Sequence, residues 1–395
     1  MAVCGSGSIK VTDLVVLRSV GRTRSLHTWS ATAALRPAFR GTMSSTVLRW
    51  FSTLSLSVNQ LGRLPWLLDS LPSLPAPQGT VEASEVPSLF REPYILSGYR
   101  PVGQDWGCYF LSLFQRHNEL LNVWTHLLTV PLVLLRSWAF AGAQGLTLGP
   151  TCLPLLFYVL SALTYLSFST AAHLLQSHSE LAHYSLFFLD YVGVSVYQYG
   201  CALAHYFYGS EVEWRETVVG ALYLPGAALF AWLSCAGCCF AKLRYRRPYP
   251  LWRKVCQLVP TGLAYMLVIS PVAHRLAIGS WNEPTLTLHA LQVVFFLLAA
   301  VFFSCPLPER LFPGCCDIVG HAHQVFHILL SLCTLCQQEA LLKDFLVQQH
   351  TMLQVHGEVQ LLLACASFPV LVFCCAVTAG AMRSSMQRQL RLKQE

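Results

Sequence analysis

Charge is what this sequence has least of. Only 11% of its 395 residues are Asp, Glu, Lys or Arg, less than half of the roughly 25% usual in soluble domains. So few charges cannot cover a water-facing surface, and a soluble fold is excluded. Disorder over most of the length is excluded by the complementary count of 54% hydrophobic residues. The chain has no sequence repeat of fixed period, no low-complexity tract, no phosphate-binding glycine loop and no nucleophile elbow. No secretory signal peptide is evident, because the apolar run at 14–17 is too short. The net charge of +7 is too small and too scattered for a nucleic-acid surface, so no nucleic-acid partner is expected. Cysteine is abundant at 16. Many of these residues (Cys152, Cys201, Cys333, Cys365, Cys374, Cys375) lie inside apolar runs, where cysteine acts as a small hydrophobe. No disulfide framework follows.

What the sequence does have is long apolar stretches. A bilayer core about 30 Å thick needs about 20 apolar residues per helix. Eight stretches qualify, at roughly 122–140, 153–175, 184–208, 218–240, 256–277, 286–305, 321–336 and 359–382. The expected fold is all-α, a polytopic membrane helical bundle. The seventh stretch opens on clustered histidines, and its alternative reading is a short buried helix.

Orientation follows from Lys and Arg in short loops. The loop after the fourth stretch carries Lys242, Arg244, Arg246, Arg247, Arg253 and Lys254, which places it in the cytoplasm. The loop before that stretch is acidic, with Glu211, Glu213 and Glu216. Arg91, Arg100 and Arg116 precede the first stretch, and Arg383, Arg388, Arg391 and Lys393 follow the last. Eight crossings then put both termini in the cytoplasm. Residues 1–42 form a basic Ser/Arg-rich extension. It has the composition of an organelle transit peptide, or else is an upstream extension of a chain starting at Met43. Residues 43–120 read as a cytoplasmic N-terminal segment in which 46–71 is weakly amphipathic and suited to the membrane surface. Residues 121–382 form the membrane domain and 383–395 a basic cytoplasmic tail.

Ionisable groups inside spans are costly and are functional candidates by default. Three groups stand out: the segment His117–His126 at the mouth of the first span, Ser169 and His173 followed by Asp190, and His321, His323 and His327. The topology sets these at one depth. With the turn between spans two and three near Ser179, His173 lies roughly 9 Å and Asp190 roughly 16 Å above it at 1.5 Å per residue. His323 and His327 are four apart, on one helical face. With His173 they form a three-imidazole donor set for a zinc ion with one position left open. Asp190, and Ser169 one turn before His173, would hold the bound water or orient an imidazole. The bland alternative for a lone histidine at a helix end is an interfacial residue, and His321 is assigned to it. Cys235, Cys238 and Cys239 lack a second pair for a zinc knuckle and read instead as S-acylation sites beside a basic loop.

The pattern E-x-x-N-x-x-x-H (Glu119, Asn122, His126), S-x-x-x-H with an Asp seventeen residues on, and H-x-x-x-H resembles the progestin and adipoQ receptor family. The text around these residues, including REPYILSGYRPVG, LFQRHNELLNVWTHLL and LSCAGCCFAKLRYRRPYP, resembles its progestin branch. The likeness runs from about Met43 to the C-terminal tail. It implies a seven-helix core with an added C-terminal helix, at the plasma membrane with an endomembrane pool. It also implies binding of progesterone-like steroids, rapid signalling through inhibitory heterotrimeric G proteins, and a part in oocyte maturation. In the adiponectin-receptor branch the residues matching His173, His323 and His327 bind zinc, and the one matching Asp190 holds its water. That branch and the more distant alkaline ceramidases resemble hydrolases of lipid amides.

Two functions are therefore carried forward. In the first, a steroid enters from the lipid, with Tyr197, Gln198 and Gln257 as donors, and zinc is a structural tie. The ordinary reading of those three residues is interhelical hydrogen bonding. In the second, the protein is a zinc hydrolase, with Asp190 as general base and Ser169 stabilising the oxyanion. The progestin-like text favours the receptor over the enzyme. The charge distribution itself yields a prediction: epitope tags at either end of the chain should be labelled by antibody only after cells are permeabilised. Labelling of either tag on intact cells would reverse the assigned orientation.

Overall fold

A chain can cross lipid only where every backbone N–H and C=O finds a partner inside the protein, and an uninterrupted helix meets that demand within one segment. The computed structural model of this protein describes residues 76–395 apart from 248, 280–282 and 394. It contains eight long helices: α1 Leu120–Gln144, α2 Leu153–Leu175, α3 Glu180–Tyr208, α4 Val218–Arg244, α5 Leu251–Ile278, α6 Pro284–Ser304, α7 Ala322–Gln348 and α8 Glu358–Arg391. Among the described residues there is no strand, only one antiparallel bridge between Val81 and Tyr99. The expected all-α membrane bundle is what the chain forms. The extension at 1–42 and the amphipathic stretch at 46–71 lie outside the described residues.

Local chemistry sets the helix ends. The Ser179 hydroxyl accepts the Ala182 N–H at the start of α3, and Thr217 accepts the Gly220 N–H at the start of α4. Helix α1 stops at Gly145, whose φ of 58° suits a residue without a side chain. Internal prolines in α1, α4, α5 and α8 are tolerated because neighbouring helices can satisfy the freed carbonyls.

Helices α1 to α7 pack in chain order, and α7 returns against α1. Helix α3 also touches α5 and α7, and α8 lies against α3, α4 and α2. Seven of the eight helices are long and apolar enough to cross a membrane. Helix α3 falls short in apolar character, because its buried residues include His183, Tyr184, Ser195, Tyr199, His205 and Tyr208. Its position explains this. Packed by five helices, it meets protein over most of its circumference, so its polar groups face neighbouring helices rather than lipid.

Helix α7 is longer than the apolar run 321–336 predicts. The sequence turns polar at Gln337, Gln338 and Glu339, yet the helix continues. Gln338 donates to the Val133 carbonyl at 3.0 Å and to Ser137 at 2.9 Å, and Glu339 pairs with Arg136. The short buried helix is therefore excluded. Helix α8 likewise runs through the segment expected as a tail, as far as Arg391. Cys235 and Cys239 are fully buried, and the Cys235 thiol lies 3.9 Å from the Cys375 carbonyl of α8. They are core residues, out of reach of an acyl group.

The N-terminal lead-in closes one end of the bundle. Arg100 is buried and donates to the carbonyls of His173 (2.7 Å) and Leu174 (2.5 Å). Tyr109 donates its hydroxyl to the Ser177 carbonyl, and Trp106 stacks on His178. The Asp317 carboxylate, before α7, accepts Leu96 N–H, Ser97 N–H and the Ser97 hydroxyl. The lead-in thereby holds the α2–α3 turn and the α6–α7 loop together.

Helices α2 and α3 approach closely at glycine. A Cβ on Gly193 would stand 2.8 Å from the Tyr165 Cα, while Gly262 on α5 has open space. Gly193→Ala should destabilise the protein by about 1–3 kcal/mol through overpacking. Gly262→Ala should be neutral or stabilising. Thermal midpoints of the two detergent-solubilised variants check the contrast, and equal midpoints would refute it.

Candidate metal centre

The end of α2, the start of α7 and the segment before α1 meet beneath the lead-in. His173 sits in the last turn of α2, and His321 is the N-cap of α7. His323 and His327 follow one turn apart. The ligating atoms of His173, His323 and His327 all lie within 4.8 Å of one another. The Nε2 atoms of His173 and His323 are 3.4 Å apart. The residues that spacing and depth single out for zinc are thus brought together.

The orientation of His173 is set from behind. Its Nδ1–H donates to the Glu119 carboxylate at 2.7 Å, which leaves Nε2 bare and turned toward His323. The same carboxylate accepts the Asn122 amide at 2.6 Å and the Gln176 amide at 2.9 Å. Burial alone would raise the Glu119 pKa. The His173 ring and the Asn122 amide outweigh burial, and hold the carboxyl well below its usual range. His117 is pushed down to about 3, by burial first and by nearby Arg100 second. It stays neutral, accepting the Glu119 N–H on Nδ1 and donating Nε2–H to the Ser112 carbonyl.

This donor set fits zinc. Two nitrogens on one tetrahedral zinc, each about 2.05 Å from the metal, stand about 3.3 Å apart, close to the His173–His323 separation. His327 keeps a buried Nδ1 with no hydrogen-bond partner. A ligating histidine whose other nitrogen donates to a carboxylate is the usual outer arrangement of such sites. His173 and Glu119 supply it.

Asp190 on α3 lies close to Ser169, one turn before His173, and to the His173 ring. His321 is not part of the set. Its Nε2 pairs with the Asn118 carbonyl at 3.0 Å, tying α7 to the lead-in.

The candidate ligand-binding residues are dispersed. Tyr197 donates its hydroxyl to Gln337 at 2.5 Å and to Thr334 at 3.2 Å, joining α3 to α7. Gln198 is half-buried with an unpartnered Oε1, and Gln257 is buried on α5. None of the three lines the cavity of about 630 Å³ between α2, α3 and α8.

Spacing alone did not show what Glu119, Gln176 and Arg100 do at this site. The signal that could have found Glu119 is its i, i+3 relation to Asn122 at the start of a span, where a bare carboxylate is costly without donors. His126 was also without a role. Its ring stacks on His327 at 4.1 Å, and neither ring nitrogen has a hydrogen-bond partner.

Residues 114–338 match the haemolysin-III related family. The chain is similar to the membrane progestin receptor beta of Homo sapiens, with 55% identity over 356 residues, 89% of this chain and 99% of that protein. The Mus musculus beta receptor is 55% identical over 353 residues, 88% of this chain and 99% of that protein. The Mus musculus membrane progestin receptor alpha is 52% identical over 283 residues, 71% of this chain and 81% of that protein.

Metal analysis tests the centre. Purified protein should carry about one zinc per chain, and the His323→Ala/His327→Ala variant none. Glu119→Gln should fold but bind zinc about 10–100-fold more weakly, the usual effect of losing an outer carboxylate. Full zinc occupancy in the double variant would remove these residues as ligands.

Proposed function

The chain belongs to the progestin and adipoQ receptor family, and on that premise we propose that it is a plasma-membrane receptor for progesterone-like steroids. One observation carries this reading: 55% identity extends over 99% of a membrane progestin receptor beta. Zinc, bound by His173, His323 and His327, is part of the proposal as a tie between α2 and α7. Rapid signalling through an inhibitory heterotrimeric G protein and a part in oocyte maturation rest on the family resemblance.

The cavity between α2, α3 and α8 has the character a steroid requires. Its volume of about 630 Å³ is within the usual range for small-molecule sites. Phe168, Phe188, Val192 and Phe368 supply apolar walls, while Thr164, Ser185 and Arg383 are its polar groups. A flat apolar molecule with a terminal carbonyl can bury its rings on the first set and accept a hydrogen bond from Arg383, since the Thr164 and Ser185 hydroxyls donate to the Leu160 and Leu181 carbonyls.

A second reading is favoured by the Asp190–Ser169 pair beside three histidines: hydrolysis of a lipid amide. Zinc bound there would supply Lewis acidity and a water of lowered pKa. Asp190 would take the proton from the attacking water, and Ser169 would stabilise the oxyanion. Release of sphingosine from ceramide by purified protein, lost in Asp190→Ala, would establish the enzyme.

For the receptor, membranes containing the protein should bind radiolabelled progesterone saturably. His323→Ala should reduce that binding, and Val192→Trp, which fills the cavity, should abolish it. Binding unaffected by Val192→Trp would move the steroid elsewhere, and absence of saturable binding would remove the receptor reading.

A further inference from the structure

We propose that a second pocket, between α3, α4 and α8, binds a phosphate monoester. It lies at the same end of the bundle as the three histidines and has a volume of about 190 Å³. That is room for about six waters at roughly 30 Å³ each, or for one phosphate with part of its alcohol.

Four cations converge on it from three stretches of chain: Lys242 at the end of α4, Arg246 and Arg247 in the loop beyond, and Lys393 past the end of α8. Two of them lean on acids. Lys393 is 3.8 Å from Glu180, which also lines the pocket, and Arg247 is 3.4 Å from Glu92. Four basic side chains set against two acids leave the pocket net positive, the sign an anion requires. Tyr184 and Tyr245 line the same space and add hydroxyl donors.

Lys242 gives the pocket its meaning. Its side chain is buried, with 6% of the residue exposed. No carboxylate lies within ion-pair distance of its ammonium, which sits 3.8 Å over the Phe187 ring. Removing an ammonium from water costs several kcal/mol, and an aromatic face returns only about 2 kcal/mol. A buried cation facing a pocket of further cations is a poor arrangement for an empty core and a good one for an anion. Arg246 is exposed and reaches only Gln389, at 3.4 Å, so it too is free to meet a ligand. The Phe187 ring beneath Lys242 also lies edge-on to His173 at 5.9 Å. One aromatic ring therefore separates the pocket from the candidate metal centre.

The phosphate can come from a lipid headgroup or from a soluble ester. Full-length protein purified in detergent should be titrated with dioctanoyl phosphatidylinositol 4-phosphate, with inositol 1,4-bisphosphate and with dioctanoyl phosphatidylcholine. Saturable binding of one or both phosphomonoesters, and none of phosphatidylcholine, is expected. Lys242→Met and Arg246→Gln should each weaken it about tenfold, the effect of losing one charged hydrogen bond. Tighter binding of the lipid assigns the site to the bilayer, and equal binding assigns it to a soluble ester; either upholds the pocket. Arg246→Gln changes an exposed residue, so an unaltered thermal midpoint would separate loss of the site from loss of the fold. No saturable binding, equal binding of phosphatidylcholine, or unchanged affinity in both variants would overturn the proposal.

Discussion

The buried carboxylate of Glu119 is the interaction on which this end of the molecule depends. Taking a carboxylate out of water costs several kcal/mol unless its lone pairs are met. Here three donors meet them: His173 and Gln176 at the end of α2, and Asn122 in the first turn of α1. Each donor comes from an element that must be placed before the carboxylate can be buried, so the site and the packing of α1 on α2 form together. The same hydrogen bond fixes which nitrogen of His173 is bare. A candidate metal ligand oriented by a charge at the root of the neighbouring helix α1 is held in place by the protein alone. Arg100 reinforces it by holding the carbonyls of His173 and Leu174.

From that end a line of polar side chains runs along the inner faces of α3 and α7. His126 stacks on His327 and meets the Tyr165 ring edge-on. The Tyr165 hydroxyl bonds to Thr334, Tyr197 joins Thr334 to Gln337, and Gln337 reaches His205 at 3.2 Å. Beyond lies Asp344, held by Arg275 at 2.8 Å and by His289 at 2.7 Å, which ties α5, α6 and α7 at the opposite end. In lipid such groups have no water to fall back on, so each must find its partner on a neighbouring helix. These bonds explain why α3 and α7 can be polar inside and still belong to a membrane bundle.

How much of this was legible in the sequence follows from the geometry of a helix in a bilayer. Spans are rods with a fixed rise per residue, so the loop charges and the residue numbers together give depth. Depth was enough to bring His173, His323 and His327 to one level, and the four-residue spacing was enough to put two of them on one face. The azimuth of each helix is set by side-chain fit against neighbours distant in the chain, and no local pattern reports it. For that reason Tyr197 could be read either as a donor to a ligand or as an interhelical bond, and its hydroxyl serves Gln337. Cys235 and Cys239 likewise read as accessible when both are fully buried. The end of α7 was misplaced for a related reason. Apolar composition marks where a helix meets lipid, and the last turns of α7 meet protein through Gln337, Gln338 and Asp344.

The placement of α8 bears on where function resides. Seven helices follow one another in chain order, with α7 returning against α1, and the histidine centre needs only α2 and α7. Helix α8 contributes nothing to that centre. It does supply one wall of the apolar cavity, through Phe368, Val372, Ala376 and Arg383, and Lys393 just beyond its end lines the cationic pocket. A chain that ended after α7 would keep the candidate metal site and lose a wall of both cavities. The residues common to a receptor and a hydrolase therefore lie in the seven-helix part. The two cavities proposed for ligands lie against the eighth helix, apart from the histidine centre.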